Sequence, residues 1–430
     1  MKKIWQTILG GSAVTAIALA GILPAQAAPG DVAVPDSNLR SCMNVALGQA
    51  PAAVITETQA GVFTGVLNCA SRGITLLTGL EAFTSVKEVD LRSNNFQDLS
   101  ALTGLTELTR LVLESNNIVN ISALTGLGKL QVLNLNYNNV ADIAVVAGMP
   151  NLEYLRLYEN HVVSVEPLKL LTRLKEVDLH LNNVVDVSAL SGLANVTYLR
   201  LTQNKITDIS SLAGLASVEN LVLSDNEIND VSPLKDLGHI KSLALERTGL
   251  SEVTGLSALS TLEELFLSEN NIEDVSPLSG LTNLRRLLLS ENRLVNVAPL
   301  ATLSNLETLH MVGQRAVLPA IYAGANQVSP LKTTDGTTII PVSATAQINA
   351  LTGAWSFPRA ESNVLTWAVD IGIADKQFGF AGTIQQKSLP SGLVVTDPQD
   401  KSIEAGADTS FSSTATSTVG TNSVVWESSS

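Results

Sequence analysis

Tyr154, Arg156 and Tyr158 alternate within LEYLRLYENHVV (152–163), in a chain that has five tyrosines in all. Alternate residues of a strand share one face, so the three side chains form a group. Twenty-two residues on, the same slots hold Glu176, Asp178 and His180, and 22 further on Tyr198, Arg200 and Thr202. Tyrosine and arginine are favoured anchors of protein-binding hot spots, so the chemistry on offer is recognition. A plainer reading competes with it: tyrosine suits strands, and Arg156–Asp178–Arg200 would make a cross-strand charge ladder. Tyr137 adjoins the group, placing four of the five tyrosines in four consecutive units, ~15 Å at the strand spacing. Further along, the slot of Arg156 turns apolar, with Val222, Ala244, Phe266 and Leu288 and then His310. Such a run of solvent-facing apolar residues reads as a second contact, or as surface covered by the segment that follows. Phe266 stands five units from Tyr158, ~24 Å, a span for one extended protein partner and not for a small molecule.

Reactive chemistry is not indicated. His161, His180, His239 and His310 show no metal spacing such as HExxH, and no GxSxG, phosphate loop or dinucleotide fingerprint occurs. Asp186, Asp208, Asp230 and Asp274 share one slot of a repeat, at a turn, which gives them a structural role rather than that of paired carboxylates. No enzymatic activity, cofactor or metal is expected.

The element that positions these residues is the repeat itself. Asn94, Asn116, Asn138, Asn160, Asn182, Asn204 and Asn226 are each 22 residues apart. The next steps land on Thr248, Asn270, Asn292 and Gln314, and one step back from Asn94 lands on Arg72. Around each step the apolar positions recur. The unit VKEVDLRSNNFQDLSALTGLTE (86–107) supplies Val86, Val89, Leu91, Phe96, Leu99, Leu102 and Leu105. The L-x-L core alternates, which predicts a strand with one buried face. The asparagine amide at the exit of each strand bonds backbone groups that would otherwise be buried and unpaired, at ~1–3 kcal/mol each. Thr248 and Gln314 can do this only in part, and Gln314 is the expected end of the array. The second half of each unit reads as a short 3₁₀ turn, with Ser188, Ser210, Ser232 and Ser276 as caps and Pro233 and Pro277 as first helical residues. In LEYLRLYENHVV, Leu152, Leu155, Leu157, Asn160 and Val162 build the unit, and Val163 is exposed.

This L-x-x-L-x-L-x-x-N-x-I-x-D-I-S-x-L-x-x-L pattern resembles a leucine-rich repeat. Its 22-residue length and its D-[IV]-S-[PA]-L half resemble the internalin family of bacterial surface proteins. The fold expected is an α/β solenoid: a curved array with parallel strands on its concave face and 3₁₀ turns on its convex face. A helical N-terminal cap and an all-β immunoglobulin-like C-terminal module complete it.

The expected organisation has five parts. Residues 1–28 read as a secretory signal peptide: Lys2 and Lys3, an apolar run, and Ala25-Gln26-Ala27 as a small-x-small cleavage site. Residues 29–80 form a cap and first repeat. Asp36 or Ser37 caps a helix that ends at Gly48, and Leu39, Cys42, Met43, Ala46 and Leu47 share its apolar face. Cys69 occupies the slot that Leu91 fills one repeat later, so Cys42 and Cys69 point into one small core, as a disulfide or as two buried thiols; export permits the disulfide. Residues 81–315 are the repeats. Residues 316–388, rich in Val, Ile, Thr and Gly, read as short strands. FGFAGTIQQ, Trp355 and Trp367 there resemble the immunoglobulin-like module that follows the repeats in internalins. Residues 389–430 read as the start of a further such repeat, cut short, with Trp426 in its core, or as a disordered tail. The family's LPxTG-type sorting signal is absent from this sequence, which puts wall attachment in doubt.

A net charge of −14 with no basic cluster argues against nucleic-acid binding. No stretch beyond the leader approaches the ~20 apolar residues of a membrane span. The expectation is therefore an exported monomer, secreted or at the cell surface, that binds a protein with its concave face. Tyr154, Arg156, Tyr158, Asp178, His180, Tyr198, Arg200, Phe266 and Leu288 are the candidate contacts. Binding of a glycan or envelope polymer, or service as a stalk, are the alternatives.

Overall fold

The computed structural model describes residues 29–390 and the backbone of two further strands, Ser412–Ser417 and Gly420–Val425. The expected leader and Trp426 lie outside the described residues. Two short helices open the fold, α1 (Ser37–Ala46) and α2 (Glu57–Gly61). Asp36 caps α1, its carboxylate accepting the N–H groups of Asn38 and Leu39, and Gly48 leaves the helix at φ 73°. Eleven three-residue strands follow, β1 (Val66–Asn68) to β11 (Arg286–Leu288), alternating with 3₁₀ turns. Each pairs in parallel with the next, residue i opposite residue i+22. The chain is a leucine-rich-repeat solenoid.

The leucine columns form one continuous core from Leu39 to Ile384. Strands of three residues have almost no stability alone, so each repeat depends on the faces it shares with its neighbours. The ladder residues make those shared faces tolerable. The Asn160 amide donates to the carbonyls of Leu135 (2.9 Å), Leu157 (3.1 Å) and Tyr158 (3.2 Å). Its Oδ1 accepts from the N–H of Val140 (2.9 Å). One side chain thus stitches two adjacent repeats. The turn it stabilises is a left-handed one. From Ser71 to Glu291, every 22nd residue, the one before each ladder position, sits at φ between 51° and 58°. That conformation costs a non-glycine residue roughly 1–2 kcal/mol, and the ladder bonds offset it.

Gln314 serves the ladder in part, as expected: its amide donates to Leu289 (2.8 Å) and Met311 (3.1 Å) and its Oε1 accepts from Leu294 (3.0 Å), three bonds where Asn160 makes four. Two expectations about the turns need correction. The serines do not cap the 3₁₀ turns. Ser188 is the first residue of its turn, and its N–H donates to Asp186 Oδ1 (2.8 Å). Asp208, Asp230 and Asp274 hold Ser210, Ser232 and Ser276 in the same way. An aspartate two residues back forms an Asx turn, which a turn this short accommodates better than a side-chain cap at its own start. Pro233 and Pro277 accordingly stand second in their turns, after the serine.

Both ends are closed. Cys42 of α1 and Cys69, just past β1, form a disulfide with Cα atoms 5.6 Å apart. At the other end β12 (Thr308–Tyr322) starts as the next strand of the array and runs on through residues 315 and 316. Four more strands complete this end: a short pair, β13 (Gln347–Ile348) with β14 (Trp355–Ser356), and two long strands, β15 (Ser362–Ile373) and β16 (Lys376–Leu389). β16 pairs in parallel with β12 and antiparallel with β15, so repeats and C-terminal strands share one 14-stranded sheet. Lys376 Nζ reaches back to the carbonyl of Leu306 (2.7 Å), and Lys332 pairs with the backbone of Val295 and Val297. Among the described residues no helix is long and apolar enough to cross a membrane.

Candidate protein-recognition face

The strand direction decides which side chains are available. Leu155, Val177 and Leu199 point into the core, so Tyr154, Arg156, Glu176, Asp178, Tyr198 and Arg200 point out on the inner face, each half-buried among its neighbours. Tyr158 and His180 follow two residues past the strands, in adjacent repeats. The structure brings them together. The Tyr158 and His180 rings stack at 4.8 Å and 29°, and the Tyr137 ring meets Tyr158 edge-on at 4.7 Å. The Arg200 guanidinium lies 6.0 Å from the Tyr158 ring centre. Aromatic pairs at such separations are each worth about 0.5–1.5 kcal/mol beyond their burial. A second turn of contacts locks the histidine: its Nδ1 lies 3.0 Å from the Thr202 carbonyl. Burial first, and the Arg200 charge second, hold its imidazole below the usual histidine range.

The expected Arg156–Asp178–Arg200 ladder is not what forms. Arg156 binds Glu176 instead, through Nε (2.7 Å) and a second nitrogen (3.2 Å). The forked guanidinium finds a carboxylate it can meet with two donors, whereas Asp178 is too short to offer one. Asp178 turns to the His180 N–H (3.0 Å), and its carboxylate stays 4.0 Å from Arg200. Burial, its largest influence, pushes the Asp178 carboxyl up. Arg200 is thus the loosely paired cation of the group. Beside it the Thr202 hydroxyl, also buried, has no hydrogen-bond partner.

The apolar column lies on the same face but is less open than expected. Val222, Phe266 and Leu288 are half-buried, and Ala244 is buried because its short side chain lies between the larger Val222 and Phe266 on the adjacent strands. His310 is exposed, so the C-terminal strands do not cover that end of the column. The flanking columns are polar: Asn220, Ser242, Glu264 and Arg286 on one side, Ser224, Glu246, Ser268 and Ser290 on the other.

One feature was not singled out from the sequence. Seven residues before each ladder position, Glu219, Lys241, Glu263, Arg285 and Glu307 alternate in sign along the edge of the array. Lys241 pairs with Glu219 (2.9 Å) and Arg285 with Glu307 (2.6 Å), lining a groove of about 610 Å³. The 22-residue period alone could have found them. Their charges are largely spent on one another, and exposed pairs of this kind contribute little.

A leucine-rich-repeat family profile matches residues 107–162 and 172–228. Among solved structures the chain is similar to an internalin from Listeria monocytogenes, at a TM-score of 0.53 and 28% identity, over 65% of this chain and 96% of that one. The chain is an internalin-like leucine-rich-repeat protein. A leucine-rich-repeat protein of Leptospira interrogans is similar in fold, at a TM-score of 0.53 and 22% identity, over 59% of this chain and 73% of that one. No protein of curated function matches the sequence.

Proposed function

We propose that this internalin-like chain is a non-catalytic binding protein, exported by the leader at 1–28, that grips a protein partner on the inner face of its repeats. The observation that carries this reading is the Tyr137–Tyr158–His180 stack with Arg200 beside it. It is an aromatic and cationic cluster that the core does not need, set at and just past the ends of adjacent strands. Rigid aromatic side chains lose little entropy on binding, which is why they dominate hot spots. The same stack favours protein over sugar. The stacked His180 already takes one face of Tyr158, which leaves less of its ring for a sugar to lie on. In this reading residues 316–388 act as an immunoglobulin-like cap, and the partner is met at or outside the bacterial surface.

The test is capture of a binding partner from candidate cell surfaces, comparing the unaltered chain with a Tyr154→Ala/Tyr158→Ala/Tyr198→Ala variant. The reading expects at least a roughly hundredfold loss, two or more hot-spot truncations of ~2 kcal/mol each. A partner that binds both alike overturns the site assignment.

A further inference from the structure

The inner face carries two unlike surfaces end to end: the tyrosine cluster, and the column Val222–Ala244–Phe266–Leu288, which begins one repeat past Arg200 in the same slot. We propose that this column seats a single amphipathic α-helix of the protein partner, laid across the strands, with an acidic side chain against Arg200. The proposal rests on the reading that the inner face binds protein.

Width argues for one linear element. The column is one side chain wide between two polar columns, so a second sheet packed face to face would bury serines, Glu246 and Glu264 against its own apolar face. Spacing argues for a helix. Neighbouring strands lie ~4.8 Å apart, so four successive side chains span ~14 Å. Helix positions i, i+4, i+7 and i+11 span ~16 Å. Alternate residues of an extended peptide need ~20 Å for four contacts, and fall out of step after two. Polarity fixes the end. Among the described residues the Arg200 guanidinium donates no hydrogen bond; it lies 4.0 Å from the Asp178 carboxylate and 6.0 Å from the Tyr158 ring centre, and the Thr202 hydroxyl two residues on is unpartnered. An acidic residue one turn before the apolar stripe gives it the carboxylate it lacks. On the flank, Glu246 is half-buried and forms no salt bridge among the described residues, which suits a basic residue about two turns later. Acid early and base late also matches the helix dipole, so the partner helix runs N-terminus first from Arg200 towards Leu288.

The probe is a library of random 18-residue peptides displayed on phage and selected on the whole chain. The proposal expects enriched peptides with apolar residues three or four apart and Asp or Glu one turn before the first. Their affinity should fall at least roughly tenfold for Phe266→Ser and stay unchanged for Leu170→Ser, a change on an exposed residue outside the inner face. Selection on Arg200→Gln should lose the acidic preference and keep the apolar spacing. Enrichment of alternating apolar residues, indifference to Phe266→Ser, or no enrichment at all overturns it. These outcomes are separate from the tyrosine test: a natural partner can depend on the tyrosines while the selected peptides show the wrong period, and only the helix is then refuted.

Discussion

A ladder asparagine serves two repeats at once, so its loss is felt in both. Asn182 donates to Leu157, Leu179 and His180, and accepts from Val162. Asn182→Ala leaves several buried backbone groups unpaired and should cost about 2–4 kcal/mol. Chemical denaturation measures it; a loss under about 1 kcal/mol would show that water can enter the column. His180, two residues away, should report on pH. Its folded pKa lies below 6.5, so its contribution is complete above that pH and is lost as pH falls through the lower folded value. Imidazolium beside Arg200 then opposes the Tyr158 stack. An NMR titration should place the His180 midpoint under 6.5 and move it upward in Arg200→Gln. A midpoint at or above 6.5 in the unaltered chain refutes the assignment. Both residues could be placed from the sequence, but the contacts they make could not. Slots follow from the period, whereas the choice of Glu176 over Asp178 by Arg156 depends on side-chain length and rotamer.

Among the elements, the 3₁₀ turns hold the convex side through a column of aspartates. Hydrogen bonds from the serine N–H groups, the largest influence, keep Asp186, Asp208 and Asp230 below the usual carboxylate range. A depressed carboxylate stabilises the fold above its unfolded pKa of about 3.9, and that support is lost as pH falls through the folded value. Asn120 and Asn296 already accept the same backbone bond at 2.8 and 3.1 Å. Asp186→Asn/Asp208→Asn/Asp230→Asn should therefore keep its neutral-pH stability closely and unfold at a lower pH. An unchanged acid midpoint, read by circular dichroism, would show that the acid-sensitive groups lie elsewhere. The places of strands and turns, though not the first residue of each turn, were legible in the sequence because each apolar slot must face one core. The capping residue was misread because serine is a common cap of α-helices, and a turn this short places its serine one residue inside. The slots of the apolar column followed from the period, but its depth did not: Ala244 is buried only once Val222 and Phe266 stack on either side of it.

Taken as a whole, the repeats and the two long C-terminal strands make one continuous 14-stranded sheet, and stability should vary along its length. The Cys42–Cys69 bond pins the cap across 27 residues of chain, worth about 3.5 kcal/mol in the loop-entropy view. Reduction should loosen the array from that end. Hydrogen exchange should then rise first around Leu67 and Leu91, while amides around Leu267 stay protected. Uniform loss would show that the whole solenoid unfolds as a unit. The continuous sheet also has a mechanical meaning. Held at its C-terminal end and loaded through a partner on the inner face, the chain carries tension along the stacking axis, at right angles to its strands. Interstrand bonds then open like a zipper, one repeat after another, each adding roughly 70 Å of contour length. Such a tether yields in small steps at low force and keeps its grip while the repeats beyond the partner pay out.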